Sequence, residues 1–192
     1  MKSKILRIYD FDNTIYDGNI TKDFFTFLIS KSKRSIILSP LFSLLCWRLL
    51  IGRINFKSFI EKSAKHLKLS SLDLSQELHE FWRLHRRYIK PFYWKQRTKD
   101  DIIISASPEF IIKPFTDSIH VQLVASRFDI ATGKLVGNPC EGEDKVRRLN
   151  ELGIETCDEF YTDSMIDAPV IKFSKKAFVV KNNDIKLVWT KS

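Results

Sequence analysis

The stretch Ile5-Leu6-Arg7-Ile8-Tyr9-Asp10-Phe11-Asp12-Asn13-Thr14 decides how the rest of this chain is interpreted. Its apolar first half predicts a buried strand, and its second half predicts a polar loop that follows the strand. Because residues i and i+2 of an extended chain point the same way, Asp10 and Asp12 can face one substrate atom at the carboxyl edge of a sheet. Taken alone, the pair also fits a turn in which Asp accepts backbone N–H bonds.

Three later segments add polar residues in a fixed order. Asp101-Ile102-Ile103-Ile104-Ser105 is a second apolar run that ends in a small hydroxyl residue. Lys145 follows on a predicted helix, and Phe160-Tyr161-Thr162-Asp163-Ser164-Met165-Ile166-Asp167 brings two further acids after a third strand. Each segment also has a simpler explanation, as a helix cap, a first-turn acid or a solvated lysine.

The order, residue types and strand ends together resemble those of the haloacid dehalogenase superfamily, in its phosphoserine-phosphatase-like branch. The resemblance covers residues 1–30 and 101–192. It implies that Asp10 is a nucleophile that becomes an aspartyl phosphate and that Asp12 is the general acid/base. A looser resemblance, to the phosphatidylglycerophosphatases of the same branch, concerns the segment between the first two motifs.

The same resemblance implies roles for the remaining polar residues. Phosphate binding would fall to Thr14, Ser105, Ala106 and Lys145. Mg²⁺ would be held by Asp10, Asp12 (through its backbone carbonyl) and Asp163, with Asp167 in a supporting role. One residue departs from the pattern, because the branch has Asn before the last Asp and this chain has Ile166. We therefore expect one polar contact of that loop to be missing or supplied from elsewhere.

The chemistry of phosphoryl transfer explains why these residue types would occur together. Catalysis of this reaction is mostly positioning plus positive charge on the transferred group. Mg²⁺ prefers oxygen ligands, and Lys145 would add a second positive charge. A carboxylate nucleophile divides the hydrolysis into two easier steps, and Asp12 can donate a proton in one step and accept a proton in the other. By the resemblance, the second Asp also favours phosphate esters over halogenated acids or phosphonates.

The alternation of elements predicts an α/β fold, a Rossmann-like and mainly parallel sheet flanked by helices with an inserted all-helical cap. We expect a catalytic core over residues 1–19 and 98–192 and a cap over residues 20–97. Hairpin tips are expected at Thr132-Gly133-Lys134 and Asn182-Asn183. Strands are predicted at 4–9, 101–105, 121–126, 158–162, 177–180 and 185–189.

The insert carries the charge of the protein. Residues 31–100 contain 16 Lys or Arg and 5 Asp or Glu, whereas the whole chain has a net charge of +9. A basic cap suits a small anionic phosphomonoester, because electrostatic steering raises the encounter rate. Within it, residues 36–51 form an apolar stretch that is shorter than the about 20 residues of a membrane-spanning helix. It is either a buried cap helix or an interfacial segment that meets anionic lipid, which would imply a lipid phosphate substrate.

Composition limits the setting and the partners. An odd number of cysteines, Cys46, Cys140 and Cys157, without metal or redox spacing indicates reduced thiols. The chain enters its first strand without an apolar leader, so we expect a cytoplasmic protein, with peripheral contact at the inner membrane face through residues 31–99 left open. No recognised nucleic-acid-binding motif accompanies the basic insert, and we expect no nucleic-acid partner. The group Arg83, Arg86, Arg87 and Lys90 is interpreted as a solvated helix face.

Overall fold

The computed structural model describes residues 5–32 and 35–191, with the backbone alone for 35–38. Parts of three predictions therefore lie outside the described residues. These are residues 1–4 of the predicted core and first strand, Lys33 and Arg34 of the basic insert, and Ser192 at the end of the core.

A sheet of six strands forms the centre of the molecule. The strands are β1 (Arg7–Asp10), β2 (Ile102–Pro108), β3 (Gln122–Ser126), β6 (Cys157–Thr162), β7 (Ser174–Lys181) and β8 (Asp184–Thr190), and a separate ribbon pairs β4 (Phe128–Asp129) with β5 (Lys134–Leu135). The order across the sheet is β3-β2-β1-β6-β7-β8. Neighbours are parallel except β7 and β8. The predicted fold class is confirmed.

The predicted strands are present, with differences at their ends. β2 continues to Pro108 beyond the predicted end at 105, and β7 begins at Ser174 before the predicted start at 177. Both predicted hairpin tips are confirmed: Gly133 lies between β4 and β5 with φ +69°, and Asn182 joins β7 to β8 with φ +55°. Asn and Gly accept these left-handed conformations at low cost.

Helices fill the chain between the strands. They are α1 (Ile20–Lys31), α2 (Ser35–Leu50), α3 (Phe56–His66), α4 (Leu74–His85), α5 (Pro91–Gln96), α6 (Glu109–Ile119), α7 (Glu143–Glu151) and α8 (Ala168–Phe173), with 3₁₀ turns at Leu69–Ser71, Arg86–Tyr88 and Met165–Asp167. Asn19, Asn55 and Asp73 cap α1, α3 and α4, since each side chain accepts a backbone N–H of the first turn. The described residues between β1 and β2 are thus helical apart from short connections.

Two apolar clusters cover the two faces of the sheet. Ile8, Ile102 and Ile104 enter one cluster, whereas Tyr9 and Ile103 enter the other. This alternation follows from the period of two along a strand. Helices therefore pack on both faces, as predicted for a mainly parallel sheet.

The helices of the insert share the second of these clusters with the sheet. Trp82 of α4 stacks on Phe115 of α6 with ring centroids 4.9 Å apart, and its Nε1 donates to the carbonyl of Ile111 at 2.7 Å. Phe24 of α1 contacts Phe81 of α4 and Phe110 of α6. Continuous packing of this kind ties the insert to the core through α6.

None of the helices in the described part of the chain is long and apolar enough to cross a membrane. The three cysteines are free thiols in the structure. Cys140 and Cys157 are buried in the apolar cluster on the other face of the sheet, where burial raises the pKa of each thiol to about 12. They contribute to packing.

Candidate active site

The polar residues singled out in the sequence meet at the carboxyl edge of the parallel strands. Asp10 ends β1, Ser105 lies near the end of β2, and Thr162 ends β6. Because β2 and β6 flank β1 on opposite sides, the strand order reverses there. A crevice at such a reversal is the usual ligand site of an open α/β sheet.

A buried ion-pair cluster forms the base of the site. The Lys145 ammonium lies 2.7 Å from Asp10 Oδ1 and 2.8 Å from Asp167 Oδ1, and all three side chains are nine-tenths or more buried. Lys145 reaches the cluster from the first turn of α7, and Asp167 also accepts from the Thr162 hydroxyl at 2.8 Å. Lys145 and Asp167 follow Asp10 by 135 and 157 positions in the sequence. The fold brings both side chains to the Asp10 carboxylate.

The second acid of the first motif has a separate set of partners. Asp12 Oδ1 accepts the backbone N–H of Ile20 at 2.6 Å, and Asp12 Oδ2 accepts the hydroxyl of Ser107 at 2.6 Å. The Thr21 hydroxyl in turn donates to Ser107 Oγ at 2.8 Å. Asp12 is half-buried, whereas Ser107 and Thr21 are buried. The carboxylate is therefore oriented by the start of α1 and the end of β2.

The loop between the two carboxylates and α1 is held by its own hydrogen bonds. Asn13 has φ +55°, a left-handed conformation that Asn tolerates, and its N–H donates to the carbonyl of Gly18 at 2.9 Å. The Thr14 hydroxyl donates to Asp10 Oδ2 at 3.2 Å. Thr14 therefore orients the Asp10 carboxylate.

Asp163 lies on the open side of the site. It is half-buried and lines, with Asn13, Asp17 and Lys90, a cleft of about 320 Å³. Burial raises the pKa of Asp163, and a hydrogen bond with the Asn13 side chain opposes that rise. Asp163 also lies close enough to Asp12 to raise the pKa of the Asp12 carboxyl.

Burial and mutual repulsion set the electrostatics of the site. Burial raises the pKa of Asp10, and the Lys145 ammonium opposes the rise. Burial raises the pKa of Asp12 to about 6, while the hydrogen bonds from Ser107 and Ile20 oppose it. For Lys145, burial lowers the pKa, but the two carboxylates outweigh burial and leave the pKa above its ordinary value. Lys145 thus faces the carboxylates of Asp10, Asp12, Asp163 and Asp167, and the Lys90 ammonium lies near Asp163 on the open side of the site.

Excess negative charge and oxygen donors fit a hard divalent cation. In the described part of the chain no three His, Cys, Asp or Glu side chains form a metal-binding group. The predicted ligand set contains only two carboxylates, Asp10 and Asp163, with the Asp12 backbone carbonyl as the third donor. Mg²⁺ is commonly held by one or two carboxylates and keeps several waters, so the donors present fit this cation.

The phosphate-binding residues expected at the second motif lie beside Asp12. Ser105 is buried, and its Oγ accepts the N–H of Ser107 at 3.0 Å and lies 3.5 Å from Asp12 Oδ2. The Ala106 carbonyl accepts the Ser126 hydroxyl at 2.6 Å, which fixes the peptide at this strand end. Ser105 therefore caps the turn at the end of β2 and also lies beside Asp12.

Ile166, at the position where the branch has Asn, lies outside the ion-pair cluster of Asp10, Lys145 and Asp167. Ile166 is 72% exposed, in the 3₁₀ turn Met165–Asp167. Asp167 is held instead by Thr162 and Lys145. Ile166 thus leaves the polar contacts of Asp167 to Thr162 and Lys145.

Sequence reasoning missed two residues that orient Asp12. Ser107-Pro108-Glu109 has the residue types of a helix N-cap, but β2 runs on to Pro108 and α6 begins at Glu109 without a side-chain cap. Ser105 and Ser107 are two apart on an extended chain, so the rule applied to Asp10 and Asp12 would have placed both hydroxyls on one side. Thr21 carries no comparable signal in the sequence.

The prediction of a solvated face is wrong for Lys90. Helix α4 ends at His85, and the chain turns back through the 3₁₀ turn Arg86–Tyr88. Lys90 is consequently buried, and its ammonium donates to the Asn13 carbonyl at 2.5 Å while its backbone N–H donates to Ile15. This end of the insert is thereby fixed to the loop that carries Asp12.

Comparison with known proteins gives three further findings. The model of the haloacid dehalogenase-like hydrolase family matches residues 8–172. No curated protein sequence matches the chain. Solved structures match this chain over most of their own length, which shows that they share its fold.

Three of these structures illustrate the likeness. A Bordetella pertussis Tohama I protein of unknown function is 20% identical with a TM-score of 0.71, and the match covers 89% of this chain and 87% of that one. A phosphoserine phosphohydrolase-like protein from Francisella tularensis is 14% identical with a TM-score of 0.57, covering 94% and 88%. A phosphoserine phosphatase, as its phospho-aspartyl intermediate analogue, is 16% identical with a TM-score of 0.50, covering 92% and 86%.

The family model spans most of the sequence and includes Asp10, Asp12, Lys145, Asp163 and Asp167. The six-stranded sheet and the flanking helices agree with it. The chain belongs to the haloacid dehalogenase-like hydrolase family.

Proposed function

We propose that this protein is a Mg²⁺-dependent phosphomonoester phosphatase that acts through an aspartyl phosphate on Asp10. The observation that carries the proposal is the buried contact of 2.7 Å between Lys145 and Asp10, with Asp12 two residues along the same loop. Ion pairing favours the ionised, nucleophilic form of the Asp10 carboxylate. The phosphoserine phosphatase found as a phospho-aspartyl intermediate analogue shares this fold.

In the first step an oxygen of Asp10 attacks phosphorus and the ester P–O bond breaks. Asp12 protonates the leaving alkoxide, which needs an acid whose pKa lies near the working pH. Its pKa of about 6 is suited to that task. In the second step Asp12 takes a proton from water as the water attacks phosphorus, which releases inorganic phosphate and regenerates the Asp10 carboxylate.

The remaining residues bind the phosphoryl group and balance its charge. Ser105 and the backbone at Ala106 border the space beside Asp12 and would donate to phosphoryl oxygens. Lys145 is fixed by Asp167, so its positive charge requires no reorganisation when charge develops on the transferred group. Asp10, Asp163 and the Asp12 carbonyl would hold Mg²⁺, which would reduce the repulsion between a carboxylate nucleophile and an anionic phosphate.

The basic insert supports a small anionic phosphomonoester as substrate. The alternative is a lipid phosphate of the phosphatidylglycerophosphate type, and the exposed apolar side of α2 favours it. A third function, a phosphate-binding module without catalysis, is less well supported, because Asp10, Asp12 and Lys145 come together in the arrangement that the chemistry needs.

Phosphate release by purified protein tests the proposal. Soluble phosphomonoesters and lipid phosphates in mixed micelles would be compared with Mg²⁺ and with EDTA. Asp10→Asn is the blank, and Asp184→Asn, at an exposed hairpin position, is the matched control. We expect Mg²⁺-dependent release that Asp10→Asn abolishes and Asp184→Asn preserves. Release by Asp10→Asn at the rate of the unmodified protein would overturn the proposal.

A further inference from the structure

Over its described side chains, residues 39–50, helix α2 has two apolar sides, and only one of them is covered. Its inner side packs on the cluster shared by insert and core, where Leu45 is buried and Phe42, Cys46 and Leu49 are partly buried. Phe42 contacts the rings of Phe25 and Phe59. The rest of the insert therefore occupies this side of the helix.

The outer side of α2 carries large apolar side chains that remain exposed. The exposed fractions are 39% for Leu41, 48% for Leu44, 51% for Trp47, 85% for Leu50 and 45% for Ile51 just after the helix. At 100° per residue the four helical positions fall on the half of the helix opposite the inner side, and Ile51 follows in the turn after Leu50. Contiguous exposed apolar side chains of this size mark interaction surfaces. We call these five residues the outer face of α2.

The surroundings of the outer face are cationic. Residues 24–60 contain no Asp or Glu and six Lys or Arg, of which Lys31 is paired with Glu77 and Glu80 and Lys33 and Arg34 lie outside the described residues. Arg48 lies in the last turn of α2, and the Arg53 guanidinium lies over the Trp47 ring at 6.0 Å. Within the described ranges no ion pair connects Arg48 or Arg53 to a carboxylate. Positive charge beside an apolar face calls for a partner that is itself both apolar and anionic.

We propose that the outer face of α2 docks on an anionic lipid bilayer. The 16 residues of α2 are too few to span a bilayer, so the helix would lie in the plane of the interface. Leu44 and Leu50 would enter the acyl boundary, and Trp47 would lie at the level of the headgroups. Lys and Arg near the surface add electrostatic attraction to anionic lipid. This docking does not depend on the proposed catalytic activity.

A second copy of the chain fits the outer face less well. In a two-fold dimer the same patch would meet itself, which would bring Arg48 and Arg53 of both copies together. The segment 24–60 offers no carboxylate to compensate them. An anionic bilayer supplies that charge, so charge complementarity favours lipid.

Co-sedimentation with vesicles tests the docking. The full chain would be mixed with phosphatidylcholine vesicles and with vesicles that also contain phosphatidylglycerol. The test variant is Leu44→Glu/Trp47→Glu/Leu50→Glu. Its matched control, Val136→Glu/Leu152→Glu/Val188→Glu, makes the same charge change at residues that are 52%, 48% and 44% exposed. Thermal unfolding by circular dichroism verifies that each variant folds.

We expect the unmodified protein and the control to sediment with the anionic vesicles and to be released by salt. The partition coefficient of the test variant should fall by at least about 10-fold, since three apolar side chains that would enter the bilayer are replaced by carboxylates. Absence of binding by the unmodified protein, an equal loss in the control, or a dimer that the test variant dissociates without any effect of vesicles would overturn the proposal. Hydrolysis of a soluble ester without vesicles separately tests the catalytic proposal.

Discussion

The Lys145 ammonium lies 2.7 Å from Asp10 Oδ1 in a pocket where both side chains are at least nine-tenths buried. Asp167 holds the lysine from the other side. A buried charge pair of this kind is costly to break, because the remaining partner stays in a poorly solvating environment. The contact therefore links stability to the proposed chemistry.

Replacing this lysine should lower stability and activity together. Lys145→Met would leave Asp10 and Asp167 buried without their cation, and we expect the free energy of unfolding to fall by about 3–5 kcal/mol. Loss of a preorganised positive charge should also lower kcat by about 100-fold or more. Denaturant unfolding and steady-state hydrolysis measure the two effects. Lys62→Met, at an exposed position of α3, is the control and should change neither. An active, equally stable Lys145→Met protein would contradict the account.

The second prediction concerns stability against pH in the metal-free protein. Asp12 has a pKa of about 6, above its ordinary value of 3.8, because burial disfavours the carboxylate, with Asp163 adding repulsion and Lys145 opposing. The preference of the folded protein for protonated Asp12 stabilises the fold fully below pH 3.8. This stabilisation is lost as the pH rises through about 6. At pH 7.5 the ionised group should cost at most about 3 kcal/mol.

Asp12→Asn removes that cost, so in EDTA the variant should melt at a higher temperature than the unmodified protein at pH 7.5. The gap should narrow as the pH is lowered towards 5. Thermal unfolding across this range measures it, with the exposed Asp184→Asn as control. A gap that is negative at pH 7.5, or independent of pH, would show that burial does not perturb Asp12 as described.

Ser107 provides a third prediction, because its hydroxyl donates to Asp12 and opposes the rise of that pKa. Ser107→Ala should raise the Asp12 pKa further, and the limb of the pH–rate profile that titrates with Asp12 should move to higher pH. Because Ser107→Ala removes a hydrogen bond to a charged group, we also expect kcat/KM to fall by about 10-fold. Ser71→Ala, at an exposed position, is the control. A lower rate with an unmoved profile would limit Ser107 to packing.

The strands and the main acids were predictable from sequence because their signals are local. Apolar runs mark β1 and β2, and a period of two along an extended chain places Asp10 beside Asp12. Thr21 and Lys90 were not predictable, because the first reaches the site only where α1 meets β2, and the second only because the chain turns back after His85. Contacts that depend on such tertiary packing leave no periodic pattern. The outer face of α2 is similar, since an apolar run does not show which side is covered.

A fourth prediction concerns Ile166. It tests whether the Asn typical of the branch is required in this protein. The Ile166 side chain is 72% exposed, and Thr162 and Lys145 already hold Asp167. Ile166→Asn restores the residue typical of the branch, yet it should change stability by no more than about 0.5 kcal/mol. We expect kcat/KM to stay within about 3-fold, which corresponds to less than 1 kcal/mol. A large gain in activity would mean that the missing Asn contact limits the reaction.

Trapping the covalent intermediate would show whether Asp10 is the nucleophile. Protein mixed with a soluble phosphomonoester and Mg²⁺ would be quenched in acid within one turnover, digested and analysed by mass spectrometry. We expect one added phosphoryl group on the peptide that contains Asp10, and none in Asp10→Asn. Turnover of the ester with no phosphorylated peptide at any quench time, or with the label on another residue, would contradict this role of Asp10.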